Sequence, residues 1–139
     1  VARIRPVVTT RSIVRLSQER QERRGTHWQN VVIAACEQCG RNVVPQVAPS
    51  TALRDFLAEA AAPGTRIVLS PLADATLRTL RVAGPVTILI GPEGGLTDDE
   101  RELAGLAGFV GVRFGPRILR TETAPLAAIA ALQALHGDC

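Results

Sequence analysis

Two Gly-Pro turns near the carboxyl end limit what this chain can fold into more than any other feature. The first is Ile88-Leu89-Ile90-Gly91-Pro92-Glu93-Gly94-Gly95-Leu96. The second, two dozen residues on, is Phe114-Gly115-Pro116-Arg117-Ile118-Leu119-Arg120-Thr121-Glu122-Thr123-Ala124. Each follows an apolar run as short as a buried strand, and each leads into a helix-start signal. Glycine lets the backbone come close to a ligand, and proline fixes the bend. In a parallel α/β sheet such turns are expected side by side at the carboxyl ends of neighbouring strands, where these sheets bind ligands.

The rest of the chain alternates in the same way. Residues 1–8 read as a strand that Pro6 confines to an edge or terminus. Residues 9–25 are polar and rich in arginine (Arg11, Arg15, Arg20, Arg23, Arg24), a loop with at most a helical turn. Thr26-His27-Trp28-Gln29 has the form of a capping box. The helix it would open carries Trp28, Val31, Val32, Ala35, Cys36 and Cys39 on one apolar face and stops at Gly40. A short apolar segment at 43–47 precedes a helix with Leu53, Phe56, Leu57 and Ala60 inward. Residues 66–69 form the next strand, ended by Ser70-Pro71, and 73–80 read as a helical turn or a loop. Residues 86–90 are apolar but for Thr87, as a strand covered on both faces requires. Thr97-Asp98-Asp99-Glu100 is a second capping box, with Leu103, Leu106 and Ala107 toward the core, and Gly108 closes that helix. A strand at 110–114 follows. The last helix starts at Thr121 or Thr123, with Pro125 in its first turn. Its Leu126, Ile129, Ala130, Leu132 and Leu135 are apolar around more than one side, which points to a second copy of the chain as packing partner. The alternation gives an α/β fold with a parallel sheet, read as a single domain over 1–139.

Composition sets outer bounds. No apolar run approaches the roughly 20 residues of a membrane helix, and no secretory pattern opens the chain. The sequence has no Met and starts as though already inside a strand, so a piece of a longer protein is expected. Every one of its 16 basic residues is arginine, and they are unevenly spread. Residues 1–45 hold eight Arg against three Glu, a net +5, and the remainder holds eight Arg against ten acids, a net −2. A basic front half suits a polyanion such as RNA; a solvated arginine-rich surface is the plainer alternative. Cys36-Glu37-Gln38-Cys39 is a C-x-x-C, but a structural zinc needs four ligands and no second pair exists. Small buried residues are the better reading, and three cysteines without a signal peptide favour a reducing cytoplasm.

The turns also discriminate among ligands. Gly91-Pro92-Glu93-Gly94-Gly95 lacks the glycine spacing of a dinucleotide fingerprint, and Glu93 would oppose a pyrophosphate. A phosphate-binding P-loop needs a lysine, and the chain has none. A cationic ligand tolerates Glu93 and the acids at 98–100, and the sulfonium S-adenosylmethionine fits that description. A purely structural turn beside an acid remains the alternative.

The pattern G-P-E-G-G followed by F-G-P-R-I-L-R-T-E-T-A resembles the ribosomal RNA uridine N3-methyltransferase family, of the SPOUT or trefoil-knotted class. The resemblance implies a parallel-sheet methyltransferase domain whose segment after Phe114 threads a loop. It implies S-adenosylmethionine lying across both turns, against Leu69, Ser70, Ile90, Gly91, Pro92, Gly94, Gly95, Phe114, Gly115, Ile118, Leu119, Thr121 and Thr123. Leu69, Ile118 and Leu119 would line an apolar slot for adenine. Arg120 would offset charge on the uracil as its N3 proton leaves, with Glu93 or Glu122 accepting that proton; a mutual Arg120–Glu122 ion pair shaping the turn is the alternative. Thr9-Thr10-Arg11-Ser12 resembles the family's T-x-R-S element. Glu37-Gln38-Cys39-Gly40-Arg41 resembles its E-Q-x-x-R element. Arg11, Gln38 and Arg41 would therefore face substrate. The implied partners are small-subunit (16S) ribosomal RNA and a second copy of the chain, with no metal and no membrane, in the cytoplasm. The family's N-terminal RNA-binding β-barrel and the opening of its catalytic domain have no counterpart in this sequence. Action on another RNA such as a transfer RNA, or a non-catalytic RNA-binding or assembly module, are the other readings.

Overall fold

The computed structural model describes residues 1–12, 17–59 and 63–137. The chain divides into two units, Val1–Phe56 and Leu57–Cys139. Arg15, Ala60 and Cys139 lie outside the described residues.

In the first unit, β1 (Arg3–Ile4) and β2 (Val7–Val8) run parallel to β3 (Gln46–Val47) and β4 (Thr51–Ala52). Arg3 and Ile4 pair with Gln46 and Val47, whereas Val7 and Val8 pair with Thr51 and Ala52, so the register slips by one residue between the two ladders. The slip falls where Pro6 and Pro49 each lack the N–H that a continuous ladder needs. The parallel crossover is α1 (Gln18–Cys39).

Helix α1 differs from the sequence reading in two ways. It begins eight residues before Thr26, whose hydroxyl donates one turn back to the Glu22 carbonyl (3.1 Å) instead of capping. Residues 18–24 are strong helix formers, and Arg23 pairs with Glu19 one turn earlier (2.7 Å), so the helix extends into the arginine-rich stretch. Its least exposed stripe is Gly25, Gln29, Val32 and Cys36, while Trp28, Val31, Ala35 and Cys39 are exposed. The Gln29 amide decides this rotation. Its Nε2 donates to the Pro45 carbonyl (3.1 Å), and its Oε1 accepts from the Val47 N–H (2.9 Å). Satisfying that backbone turns Gln29 toward β3 and swings Trp28 outward. Gly40 ends the helix in the left-handed conformation (φ 72°). A short helix, α2 (Leu53–Ala58), follows with Leu53 buried.

The second unit is built on a three-stranded parallel sheet in the order β6 (Val86–Leu89), β5 (Thr65–Leu69), β7 (Val110–Val112). Ile67 pairs with Ile88 on one side and with Val110 on the other. One face gathers Ile67, Val112, Leu77 and Leu132, the last from α4 (Thr123–His136). The opposite face receives α3 (Asp98–Leu106): Arg66 on β5 donates to the Ala107 carbonyl at the helix end (2.9 Å) and lies 5.3 Å from the Phe109 ring centre. Helices on both faces explain why residues 86–90 carry no polar side chain but Thr87. In α3 the buried residues are Glu100 and Ala104; Leu106, expected inward, is 80% exposed. The helix is only two and a half turns long, and its narrow buried stripe excludes that position.

The connection between β5 and β6 takes an unusual course. Ala73 is the nearest contact for a Cβ built on Gly111, on the α3 face of the sheet. The Arg113 N–H then donates to the Ala75 carbonyl (2.8 Å), and Thr76 bridges Arg113 on the edge of β7 away from β5. Leu77, Leu80 and Val82 pack on the α4 face. The connection thus wraps around the outer edge of β7 before returning to β6. Residues 73–80 form this loop rather than a helix. No helix among the described residues is long and apolar enough to cross a membrane.

Candidate functional site: the carboxyl ends of β6, β5 and β7

All three strands of the second sheet point the same way, so Leu69-Ser70, Ile90-Gly91 and Phe114-Gly115 emerge at one end. The two Gly-Pro turns are not on neighbouring strands as first read: β5 lies between them. Two strand spacings separate their roots by about 10 Å, with Leu69-Ser70 in the gap. The strand order reverses at β5, where α/β sheets open a crevice. Ser70 is locked there, its N–H donating to the Val112 carbonyl (3.0 Å). Leu69 and Phe114 are anchored by packing against the Ile67–Val112 cluster.

The first turn is held from several directions. The Gly95 N–H donates to the Pro92 carbonyl (2.8 Å), and Gly95 adopts φ 69°, which favours glycine. Leu96 is buried and plugs the turn, and a Cβ on Gly91 would come within 3.3 Å of its side chain. The capping box is formed as read: the Glu100 N–H donates to Thr97 Oγ1 (3.2 Å), and the Thr97 N–H donates to Glu100 Oε2 (2.9 Å). Arg101, which sequence reasoning did not single out, donates to the Leu96 carbonyl (2.6 Å) and pairs with Asp98. The Asp98/Arg101 spacing was its only signal. Glu93 and Gly94 are exposed at the tip.

The second turn is more open. Gly115 takes φ 70°, and a Cβ there, as on Gly95, would meet no atom within 4 Å. Ile118 is 81% exposed, an unusual setting for isoleucine, while Leu119 is half-buried. The Arg120 carbonyl accepts from the Thr123 and Ala124 N–H groups (2.9 Å each), so the backbone of Arg120 starts α4. The Arg120 and Glu122 side chains are 3.9 Å apart and both largely exposed. At that distance, in water, the pair holds the turn only weakly. Thr121 is half-buried and Thr123 exposed.

Arg11, Gln38 and Arg41 belong to the first unit. Thr9 and Ser12 close a tight turn, with the Thr9 N–H donating to Ser12 Oγ (3.0 Å) and the Ser12 N–H to the Thr9 carbonyl (3.1 Å), and Arg11 is exposed on it. Gln38 is exposed near the end of α1. Arg41 bridges backbone: its Nε donates to the Val43 carbonyl (2.9 Å) and its Nη2 to the Val1 carbonyl (2.8 Å). No group of three or more His, Cys, Asp and Glu residues clusters as a metal site among the described residues.

A family profile described as an RNA methyltransferase domain matches residues 1–133. The chain belongs to the RNA methyltransferase domain family. Members similar to it include the ribosomal RNA small subunit methyltransferase E of Buchnera aphidicola, 43% identical over 81% of this chain and 46% of that protein. The Synechocystis protein of the same name is 38% identical over 94% of this chain and 44% of its own length. Among solved structures, a Legionella pneumophila methyltransferase in complex with S-adenosylmethionine superposes with a TM-score of 0.93 at 41% identity, over all of this chain and 57% of that one. A Neisseria gonorrhoeae ribosomal RNA small subunit methyltransferase E bound to S-adenosylmethionine gives 0.89 at 45% identity, over 97% of this chain and 55% of that one. The chain spans about half the length of the curated relatives it matches.

Proposed function

We propose that this chain carries the catalytic half of an S-adenosylmethionine-dependent methyltransferase acting on N3 of a uridine in small-subunit ribosomal RNA. The observation that carries the reading is the convergence of both Gly-Pro turns and the Leu69-Ser70 strand end at one edge of a single sheet. The residues fit the cofactor. A Cβ on Gly95 or Gly115 would meet no atom within 4 Å, so there is room for a ligand beside both turns. Exposed Ile118 beside Leu119 offers an apolar surface for adenine. The cofactor would be held by Leu69, Ser70, Ile90, Gly91, Pro92, Gly94, Gly95, Phe114, Gly115, Ile118, Leu119, Thr121 and Thr123. Relatives of the same family hold it in their structures.

When bound, the sulfonium supplies an electrophilic methyl group. The chain's own contribution is to orient the uracil and to manage its proton. Uracil N3 becomes a nucleophile only as its proton departs, which leaves negative charge on the ring. Arg120, weakly paired and solvent-facing, offsets that charge. Glu93 or Glu122, both exposed carboxylates, accepts the proton. Arg11, Gln38 and Arg41 face the RNA, Arg41 with the guanidinium N–H groups that its contacts to the Val43 and Val1 carbonyls leave over. The wrapping of the 70–82 connection around β7 supports a trefoil knot, with the chain after Phe114 leaving through that loop. Exposed Leu126 and Leu135 on α4 support a homodimer, and the RNA substrate supports a cytoplasmic site of action. The test is titration calorimetry with S-adenosylmethionine, followed by mass analysis of 16S ribosomal RNA incubated with protein and cofactor. Absence of cofactor binding, or a methyl group on another RNA alone, overturns the reading.

A further inference from the structure

The outward face of α1 over residues 20–31 has no role in the site just described, and its composition is not that of an ordinary solvated helix. At 100° per residue, His27, Arg20, Val31, Arg24 and Trp28 fall within a sector about 100° wide. All five are exposed. The three glutamates of the helix, Glu19, Glu22 and Glu37, lie outside that sector, and Glu19 is engaged with Arg23. Among the described residues neither Arg20 nor Arg24 forms an ion pair. Arg20 sits in the first turn, at the positive end of the helix dipole, where a cation opposes helix formation. Local rules broken without a structural gain mark functional positions. Trp28 is 39% exposed because Gln29 claims the inward position.

We infer that this face of α1 is a docking ridge for single-stranded RNA, in which Arg20 and Arg24 contact successive phosphates and Trp28 stacks on a base. The inference rests on the reading that the chain acts on RNA, and it adds a surface to that reading. Charge complementarity selects the partner: the sector is cationic and acid-free, and sequence-tolerant binding of single strands combines such a stripe with an aromatic platform. Arg20 and Arg24 are about 6 Å apart along the axis, and Arg20 and Trp28 about 12 Å.

Trp28 is the single tryptophan and the chain has no tyrosine, so its emission reports this face directly. The experiment titrates the chain with a uridine-containing RNA strand of about eight nucleotides. Quenching of Trp28 emission is expected, with affinity falling steeply with salt. R20A/R24A is expected to flatten the log–log salt slope by about 1.4, at roughly 0.7 per phosphate contact. With labelled RNA read by anisotropy, Trp28→Ala is expected to weaken binding roughly 5- to 150-fold and Trp28→Phe to restore most of it, circular dichroism verifying the fold of each. The inference is overturned if no RNA binds, if RNA binds without changing Trp28 emission, or if R20A/R24A keeps the parent slope. It is equally overturned if the emission shifts with protein concentration alone, since a second copy then covers the face. Calorimetry with S-adenosylmethionine on the same sample separates the two proposals: lost cofactor binding with intact quenching sinks the methyltransferase reading, not the ridge.

Discussion

Replacing Gly64 by alanine tests whether the sheet is registered at its amino-terminal end as described. Gly64 has φ 125°, a conformation that costs a non-glycine residue about 1–3 kcal/mol. A Cβ there would overlap the Pro85 carbonyl oxygen and lie 3.0 Å from its carbon. That oxygen cannot step aside freely, because it accepts the Thr65 N–H (2.9 Å), which ties the start of β5 to the start of β6. Losing that bond adds about 1 kcal/mol. The expected destabilisation is roughly 2–4 kcal/mol, or a fall of about 6–15 °C in Tm for a chain of this size. Gly108→Ala is the control. Its φ is also positive (83°), but the new Cβ would meet no atom within 4 Å, so only the backbone term of about 1–2 kcal/mol remains. Thermal and urea unfolding followed by far-ultraviolet circular dichroism measure both. Equal losses for the two variants would refute the claimed approach of Pro85 to Gly64. S-adenosylmethionine affinity of the folded Gly64→Ala fraction is expected to stay unchanged, since Gly64 lies at the opposite end of the strands from the turns.

Other perturbations probe the site. Gly115→Ala is expected to lose more than tenfold in S-adenosylmethionine affinity by calorimetry while losing only about 1–2 kcal/mol of stability, because its Cβ would enter open space rather than protein. Thr97→Ala removes half of the capping box and is expected to cost about 1 kcal/mol by urea unfolding. Arg120→Ala is expected to keep cofactor affinity and Tm, since its exposed pair at 3.9 Å contributes little, while methyl transfer falls by about two orders of magnitude; full turnover would remove Arg120 from the chemistry. Arg41→Ala is expected to destabilise the first unit by about 1–2 kcal/mol through the lost contacts to Val43 and Val1; lost activity at unchanged stability would instead mark a substrate contact.

The second sheet was legible because its signals are local. Gly91-Pro92, Gly115-Pro116 and the Thr97–Glu100 capping box each act within a few residues, and each appears where it was read. The first unit was less legible because its decisive contact is distant. Gln29 meets Pro45 and Val47 across 16 and 18 residues, and that pairing overrode the apolar stripe that had placed Trp28 inside. The same limit applies to strand order. Nothing in the apolar runs at 66–69, 86–90 and 110–114 says that the first becomes the central strand. Arg101 escaped notice for a related reason: its main acceptor is the Leu96 carbonyl, and backbone acceptors leave no mark in a sequence.

The course of the 70–82 connection around β7 also dictates an order of assembly. Ile67 meets Ile88 as soon as β6 exists, but its other neighbour, Val110, comes 43 residues after it. Until residue 112 has been made and placed, β5 keeps one bare edge, and Leu77 lacks the Val112 it packs against. The last strand must enter a space that the earlier connection already borders, so nascent or truncated chains ending before it present an open, sticky edge. Slow completion is therefore expected from the path of the backbone itself, which defers the pairing of β5 with β7 until most of the chain is made.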